Sequence, residues 1–127
     1  MTATTWVELS VTNFDQSISW FETVLGFRAI RREGNEFAEL SRAQTSILIS
    51  SDDAPYWESE RPRLPPAGQR GSGVEIVLLV ENVDEVYHQA QQARADIIRE
   101  LADQPWHLRQ FWVRHPDGYL IRPAQRI

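Results

Sequence analysis

Hydrophobic and polar residues alternate in two ways along this chain, and the order of the two patterns repeats once. The stretch "SVTNFDQSISWFETVLGF" (10–27) aligns without gaps with "LVENVDEVYHQAQQARAD" (79–96) at a spacing of 69 residues. Self-similarity at a fixed spacing is typical of a structural unit that occurs more than once. The sequence therefore predicts two copies of one module.

Each copy starts as a strand and continues as an amphipathic helix. The strand-like runs "WVELSV" and "VEIVLLV" lead into Asn13 and Asn82, which are predicted helix N-caps with Gln16 and Glu85 reaching back. Gly26 suits the position after the first helix, whereas the second copy has no glycine there and a weaker stop. Apolar residues recur at three- and four-residue steps: Phe14, Ile18, Phe21 and Leu25, then Val83, Val86, Ala90 and Ala93.

Three strand-like segments follow each helix. They are "GFRAIRR", "EFAELSR" and "SILISS" in the first copy, with "EGN" as a hairpin turn, and "DIIRELA", "RQFWVR" and "YLIRPAQ" in the second. The stretch between the copies is rich in Pro and Gly and has no steady period, as expected of a linker. The pattern predicts an α+β fold with βαβββ modules at 5–51 and 73–127, a linker at 52–72, and a single domain over 1–127.

Composition narrows the classes of function. A chain of 127 residues is long enough to bury a core. It has no Cys and all 13 basic residues are Arg, which excludes thiolate nucleophiles, disulfides and lysine Schiff bases. The net charge of -5 disfavours a nucleic-acid partner. Without a long apolar run or a signal-peptide pattern, we expect no membrane association and a cytoplasmic location.

The module pattern, the "SWFETVLGF" helix exit and "FWVRHPDGYLIR" near the C-terminus together resemble the vicinal oxygen chelate superfamily. This group contains glyoxalase I, ring-cleaving dioxygenases, fosfomycin-modifying enzymes and bleomycin resistance proteins. The resemblance implies a cleft lined by curved mixed β-sheet, with helices on the outer faces. It also implies that Pro-Asp-Gly is a hairpin turn, and Asp117-Gly118 suits one. We therefore interpret His115 and Asp117 as surface turn residues without a catalytic role.

Metal-dependent members of that superfamily place their ligands on the first and last strands of each module. The resemblance assigns these positions here to Trp6, Leu48, Glu75 and Arg122. Only Glu75 can bind a metal, because a guanidinium carries donors and no acceptor. We therefore expect neither a metal nor another cofactor, and we predict an ion pair between Glu75 and Arg122. Lone histidines at three separate places, His88, His107 and His115, are interpreted as solvated or hydrogen-bonded residues.

Strand alternation from those positions predicts the walls of the cleft. The candidate ligand-binding residues are Trp6, Glu8, Glu39, Trp57, Glu75, Trp106, Phe111 and Arg122. Trp20 and Trp112 are assigned to the core or to an interface instead. Aromatic and acidic walls favour a small ligand that is flat or cationic, through stacking and cation-π attraction.

Three hypotheses about function remain open from the sequence. The first is non-enzymatic binding and sequestration of a ligand such as a bleomycin-type antibiotic. The alternative is a metal-dependent or carboxylate-dependent lyase, transferase or dioxygenase, with Glu75 or Glu39 as a general base. A third is an interaction protein whose cleft is vestigial. We also expect a homodimer, with Tyr56 and Trp57 of the linker at its interface or in a lid.

Overall fold

The structure, a computed structural model, describes residues 5–127. Its main elements are β1 (Val7–Val11), α1 (Phe14–Leu25), β2 (Arg28–Glu33), β3 (Phe37–Arg42), β4 (Thr45–Ser51), β5 (Glu75–Leu79), α2 (Val83–Gln92), β6 (Asp96–Gln104), β7 (Leu108–Arg114) and β8 (Leu120–Arg126). Two short 3-10 helices, Pro55–Trp57 and Arg61–Arg63, lie between β4 and β5. The order βαβββ thus occurs twice, which confirms the predicted α+β class and the two modules.

Each module forms one four-stranded mixed sheet. The strand orders are β1-β4-β3-β2 and β5-β8-β7-β6. In both sheets the first strand of the module pairs in parallel with the fourth, and the remaining pairs are antiparallel. Residues from the first and last strands of a module are therefore neighbours in space.

The helix boundaries follow the capping residues. The side chain of Asn13 accepts a hydrogen bond from the backbone N–H of Gln16 at 3.1 Å, and Asn82 caps α2 in the same way. Gly26 ends α1 in the left-handed conformation, with φ of 74°. After α2 the residue in the left-handed conformation is Arg94, with φ of 56°. This conformation is higher in free energy for an arginine than for a glycine. No helix within residues 5–127 is long and apolar enough to span a membrane.

Contacts divide the chain into two compact units, the first containing residues 5–22 and 26–64 and the second residues 65–127 with 23–25. In the first unit, Arg32 of β2 pairs with Asp15 of α1 at 2.7 Å and lies over the ring of Phe14. These contacts place α1 on the sheet face that Arg32 occupies. The same face carries buried apolar residues of β1, β3 and β4, namely Leu9, Val11, Ala38, Leu40, Ile47 and Ile49.

In the second unit, α2 covers one face of the sheet β5-β8-β7-β6. The ring of Phe111 on β7 meets that of Tyr87 on α2 edge to face, with 5.0 Å between centroids. At the start of α2, the N–H of Val83 donates to Oε1 of Gln125 on β8 at 2.9 Å. Within residues 5–127, the opposite face of each sheet carries no α-helix of its own unit, and we refer to it as the helix-free face.

The predicted linker is more ordered than its composition suggests. The indole N–H of Trp57 donates to Oγ of Ser50 at 2.7 Å, which ties the first 3-10 helix to β4. Farther along, the backbone N–H groups of Gly68 and Arg70 both donate to the carbonyl of Asp117, at 2.8 and 2.9 Å. We call residues 65–73, which these bonds hold on the β7–β8 turn, the strap.

Candidate functional site

Glu75 and Arg122 meet on the helix-free face of the second sheet, so the predicted ion pair is confirmed. Nε of Arg122 donates to Oε1 of Glu75 at 2.8 Å. The two residues lie on the parallel neighbours β5 and β8, where Val77 is the register partner of Arg122, so the pair crosses the strands diagonally. The side chains are only partly exposed, which strengthens a charge-assisted hydrogen bond.

Trp112 contacts both residues of the ion pair, whereas the sequence analysis assigned it to the core or to an interface. Its indole N–H donates to Oε2 of Glu75 at 3.1 Å. The guanidinium groups of Arg122 and Arg99 lie 5.5 and 5.1 Å from the centroid of its ring, within the range of cation-π attraction. Both carboxylate oxygens of Glu75 thus have donors, and Trp112 offers a half-buried aromatic surface beside them.

The predicted orientation of Phe111 toward the ligand is wrong. Phe111 is fully buried against α2, on the opposite face from Arg122. The reason is the register across the β7–β8 turn, where Arg114 pairs with Leu120 and so places Trp112 beside Arg122. Because side chains alternate along a strand, a shift of one residue exchanges the two faces.

Gln110 links Trp106 to the ion pair. Its Oε1 accepts hydrogen bonds from the indole N–H of Trp106 at 3.1 Å and from Nη1 of Arg122 at 2.7 Å. Trp106, a candidate ligand-binding residue, precedes β7 in the turn after β6 and is linked to Arg122 through Gln110. Sequence reasoning missed Gln110, although its spacing of two from Trp112 on one strand indicates a shared face.

Arginines outnumber carboxylates in this part of the second sheet. Arg99, Arg114 and Arg122 share the face of Trp112, and Glu75 is the acid that contacts them most directly. The sequence predicted acidic walls, and that prediction does not hold for this sheet. The surface presents mainly hydrogen-bond donors, which suits acceptor groups on a ligand.

On the first sheet, Glu8 and Glu39 lie on the helix-free face as predicted. Both residues pair with Leu48 of β4, from opposite sides, so the three side chains form a row across β1, β4 and β3. Trp6, just before β1, is half exposed. Phe37 lies two residues before Glu39, and Arg31 of β2 stacks on its ring at 5.3 Å.

Tyr56 and Trp57 are the linker aromatics that reach this first sheet. Trp57 is anchored through Ser50, and the two rings are in tilted contact, 5.9 Å between centroids. Partial burial raises the pKa of the Tyr56 hydroxyl, and the neighbouring carboxylate of Glu8 adds to the effect. The sequence identified Trp57 as a candidate ligand-binding residue and Tyr56 only as part of an interface or lid, and both contact the face of Glu8.

The β7–β8 turn is buried, which corrects the prediction that His115 and Asp117 lie at the surface. His115 is 1% exposed and Asp117 2%. The turn itself is confirmed, since the N–H of His115 donates to the carbonyl of Tyr119 at 2.9 Å and the N–H of Gly118 to that of His115 at 2.8 Å. Gly118 has φ of 110°, a conformation that side chains resist.

The His115 imidazole is held neutral inside this turn. Its Nδ1 accepts the backbone N–H of Asp117 at 3.0 Å, which places the ring proton on Nε2. Burial lowers the pKa of His115 from 6.5 to about 4, against an opposing influence of the Asp117 charge. The residue therefore belongs to the packing between the turn and the strap.

An open cavity of about 800 Å³ lies between the strap and the second sheet. Its walls are residues 68–75 together with Arg114, Gly118 and Leu120, so it borders the ion pair at Glu75. The volume is within the range of small-molecule sites. The sequence did not predict this cavity, because the strap's hydrogen bonds to Asp117 are not visible in a Pro- and Gly-rich stretch.

No group of three or more His, Asp and Glu side chains within residues 5–127 is arranged to hold a metal ion. Of the four positions at which the resemblance places metal ligands, only Glu75 has a suitable donor, and its oxygens accept bonds from Arg122 and Trp112. The residues present therefore do not match a metal centre of the glyoxalase type.

Fold and site together define a protein built of two βαβββ modules, with a polar cluster around the ion pair of Glu75 and Arg122 on the second sheet. The family model of the glyoxalase/bleomycin resistance protein/dioxygenase superfamily matches residues 4–122, and the chain belongs to this superfamily. No protein of curated function matches the sequence significantly.

Solved structures of the same fold cover almost the whole chain. TioX from Micromonospora sp. ML1 is 26% identical, with a TM-score of 0.79 and coverage of 99% of this chain and all of that one. A superfamily member from Sphaerobacter thermophilus DSM 20745 is 18% identical, with a TM-score of 0.74 and coverage of 99% and 98%. A protein of unknown function from Agrobacterium tumefaciens str. C58, also 18% identical, has a TM-score of 0.77 and coverage of 100% and 98%.

Proposed function

We propose that this protein binds and sequesters a small, flat aromatic or cationic ligand, such as a bleomycin-type antibiotic, without changing it chemically. The observation that carries the proposal is the ion pair of Glu75 and Arg122 at positions where metal-dependent relatives hold ligands. Superfamily membership supports both binding proteins and enzymes, so the chemistry of the site residues has to favour one of them.

The site residues favour binding. A guanidinium has no lone pair with which to bind a metal, and Arg122 donates hydrogen bonds to Glu75 and Gln110. Both Glu75 oxygens already accept hydrogen bonds, Oε1 from Arg122 and Oε2 from Trp112, so the carboxylate is held by its neighbours. What remains available is an aromatic and hydrogen-bonding surface.

Aromatic surfaces are present on the helix-free faces of both sheets. In the second unit, Trp106 and Trp112 flank Gln110 in the hydrogen-bonded cluster. In the first unit, the carboxylates of Glu8 and Glu39 add negative charge that attracts cationic groups of a ligand. Indole rings are strong partners for both stacking and cation-π attraction.

Tryptophan emission provides the test. Titration with bleomycin, and separately with the planar cation ethidium, should give saturable quenching, and mass spectrometry should recover each compound unchanged. Replacing Trp112 by Leu should weaken binding roughly tenfold or more, since a large buried aromatic surface is lost. Trp20→Phe is the matched control, because Trp20 lies on α1 and contacts Phe21. Absence of saturation at high micromolar concentration, or chemical turnover of the probe, would contradict the proposal.

A further inference from the structure

The side-chain amide of Gln110 accepts two hydrogen bonds through its oxygen, whereas its nitrogen donates none within residues 5–127. Gln110 is completely buried, and its Oε1 accepts two hydrogen bonds, from Trp106 and Arg122. Its Nε2 has no hydrogen-bond partner among residues 5–127. If the amide nitrogen and oxygen were exchanged, the amide N–H would face the N–H groups of Trp106 and Arg122. The two hydrogen bonds therefore fix the orientation of this side chain.

A buried donor without a partner is costly. Such a group forfeits its bonds to water, and the loss is about 1–3 kcal/mol. Buried polar groups in folded proteins are nearly always satisfied, and an exception indicates a functional role or an absent partner molecule. Here the unused donor belongs to the amide whose oxygen is bonded to Trp106 and Arg122.

We propose that the Gln110 amide N–H recognises a carbonyl oxygen on a flat aromatic ligand. This inference rests on the proposed ligand-binding function and adds a specificity-determining residue to it. The neighbouring groups favour the same ligand class, because the Arg99 guanidinium on this face is a further donor and the Trp112 ring offers a surface for stacking. A ligand with a carbonyl acceptor beside its ring meets complementary groups here, whereas a plain hydrocarbon leaves the donor unsatisfied.

Trp106 is bonded to the oxygen of the same amide that carries the unused donor. It is 51% exposed and lies in the β6–β7 turn, where His107 has a φ of 65°. The indole N–H bond to Gln110 holds the ring on the sheet in the unliganded protein. Because turns between strands move more readily than the sheet, rotation of Trp106 is the step that admits the ligand to the buried amide.

The experiment compares two probes of matched size, 2-naphthamide and 2-ethylnaphthalene, together with bleomycin. Wild-type protein should bind 2-naphthamide at least tenfold more tightly than 2-ethylnaphthalene. In Gln110→Glu the carboxylate still accepts from Trp106 and Arg122 but has no N–H to offer. This variant should therefore lose at least tenfold in affinity for 2-naphthamide and less than twofold for 2-ethylnaphthalene. The thermal midpoint of the variant reports whether it folds.

Gln125→Glu is the matched control. Gln125 is on β8 of the same sheet, but its side chain faces α2, where Oε1 accepts the N–H of Val83. Its substitution should leave the affinity for all three probes unchanged. A second readout is the pair of Gln110 side-chain amide signals in a nitrogen-proton NMR spectrum, which should shift with 2-naphthamide and not with 2-ethylnaphthalene.

The outcomes separate this inference from the function on which it rests. Equal affinity of wild type and Gln110→Glu for 2-naphthamide and for bleomycin overturns the role of Gln110 and leaves ligand binding in place. Failure of all three probes to bind the wild-type protein overturns both proposals. Selective loss of the carbonyl-bearing probes in Gln110→Glu, with the Gln125→Glu control unaffected, supports both.

Discussion

Acid should destabilise this protein through His115. The imidazole is 1% exposed, and burial lowers its pKa from 6.5 to about 4. In the unfolded chain the same group titrates near its ordinary value, so between these two pH values the unfolded state binds more protons than the folded state. Stability is therefore complete above about pH 6.5 and falls as the pH decreases toward 4.

The magnitude follows from the size of the shift. One pKa unit corresponds to about 1.4 kcal/mol, so a shift of this size removes about 3 kcal/mol of unfolding free energy between pH 7 and pH 4. That is a large fraction of the stability of a typical domain. Protonation at Nδ1 would also remove the acceptor for the N–H of Asp117, and Asp117 in turn holds the strap through Gly68 and Arg70.

Urea denaturation at pH 7, 5.5 and 4, followed by circular dichroism, measures this effect. The reference variant is His115→Asn, whose Oδ1 can take the place of Nδ1 as acceptor but does not titrate in this range. The carboxylates contribute equally to both proteins, so the difference between the two pH profiles isolates the histidine. Identical pH profiles for wild type and His115→Asn would refute the reasoning.

Four further predictions concern the core, the turn, the ion pair and assembly. Phe111→Ala should cost about 3–5 kcal/mol of unfolding free energy as a core truncation, measured by urea titration, with ligand affinity per folded molecule unchanged. Gly118→Val should lower the thermal midpoint far more than Gly34→Ala, because a Cβ at Gly118 would lie 2.7 Å from strap backbone whereas Gly34 has open space. Arg122→Leu should cost about 1.5–3 kcal/mol, the range for hydrogen bonds to charged groups, and an unchanged urea midpoint would contradict it. We also propose a homodimer, which light scattering at micromolar concentration should detect as twice the mass of one chain.

The modules were predictable because their signals are local. Asn13 and Asn82 cap the helices as predicted, and the apolar positions predicted after each cap are buried except Ala93, which is exposed just past the end of α2. The strand pairing within each module follows from the superfamily topology. That topology also made the contact of Glu75 with Arg122 predictable, although 47 positions separate them in the chain.

Several details of the site could not be predicted from the sequence, and the physical reason differs from residue to residue. Phe111 and Trp112 are adjacent and aromatic, so composition does not decide which of them faces α2. That choice depends on the length of the β7–β8 turn, and an error of one residue exchanged them. The burial of His115 depends on the strap, whose contacts with Asp117 come from residues more than 40 positions earlier in the chain and leave no periodic signal.

The exchange of a metal ligand for an arginine changes what the second sheet can recognise. Glu75, Arg122 and Trp112 satisfy one another, so the ion pair is neutral as a unit and its carboxylate is already saturated with donors. The donors that remain in the cluster belong to Arg99 and Gln110, and the latter amide N–H is buried without a partner. A surface with surplus donors and two indoles discriminates among ligands by their acceptors and their flatness. We therefore expect the proposed ligand specificity of this sheet to depend on Gln110 and Trp112, two residues of β7.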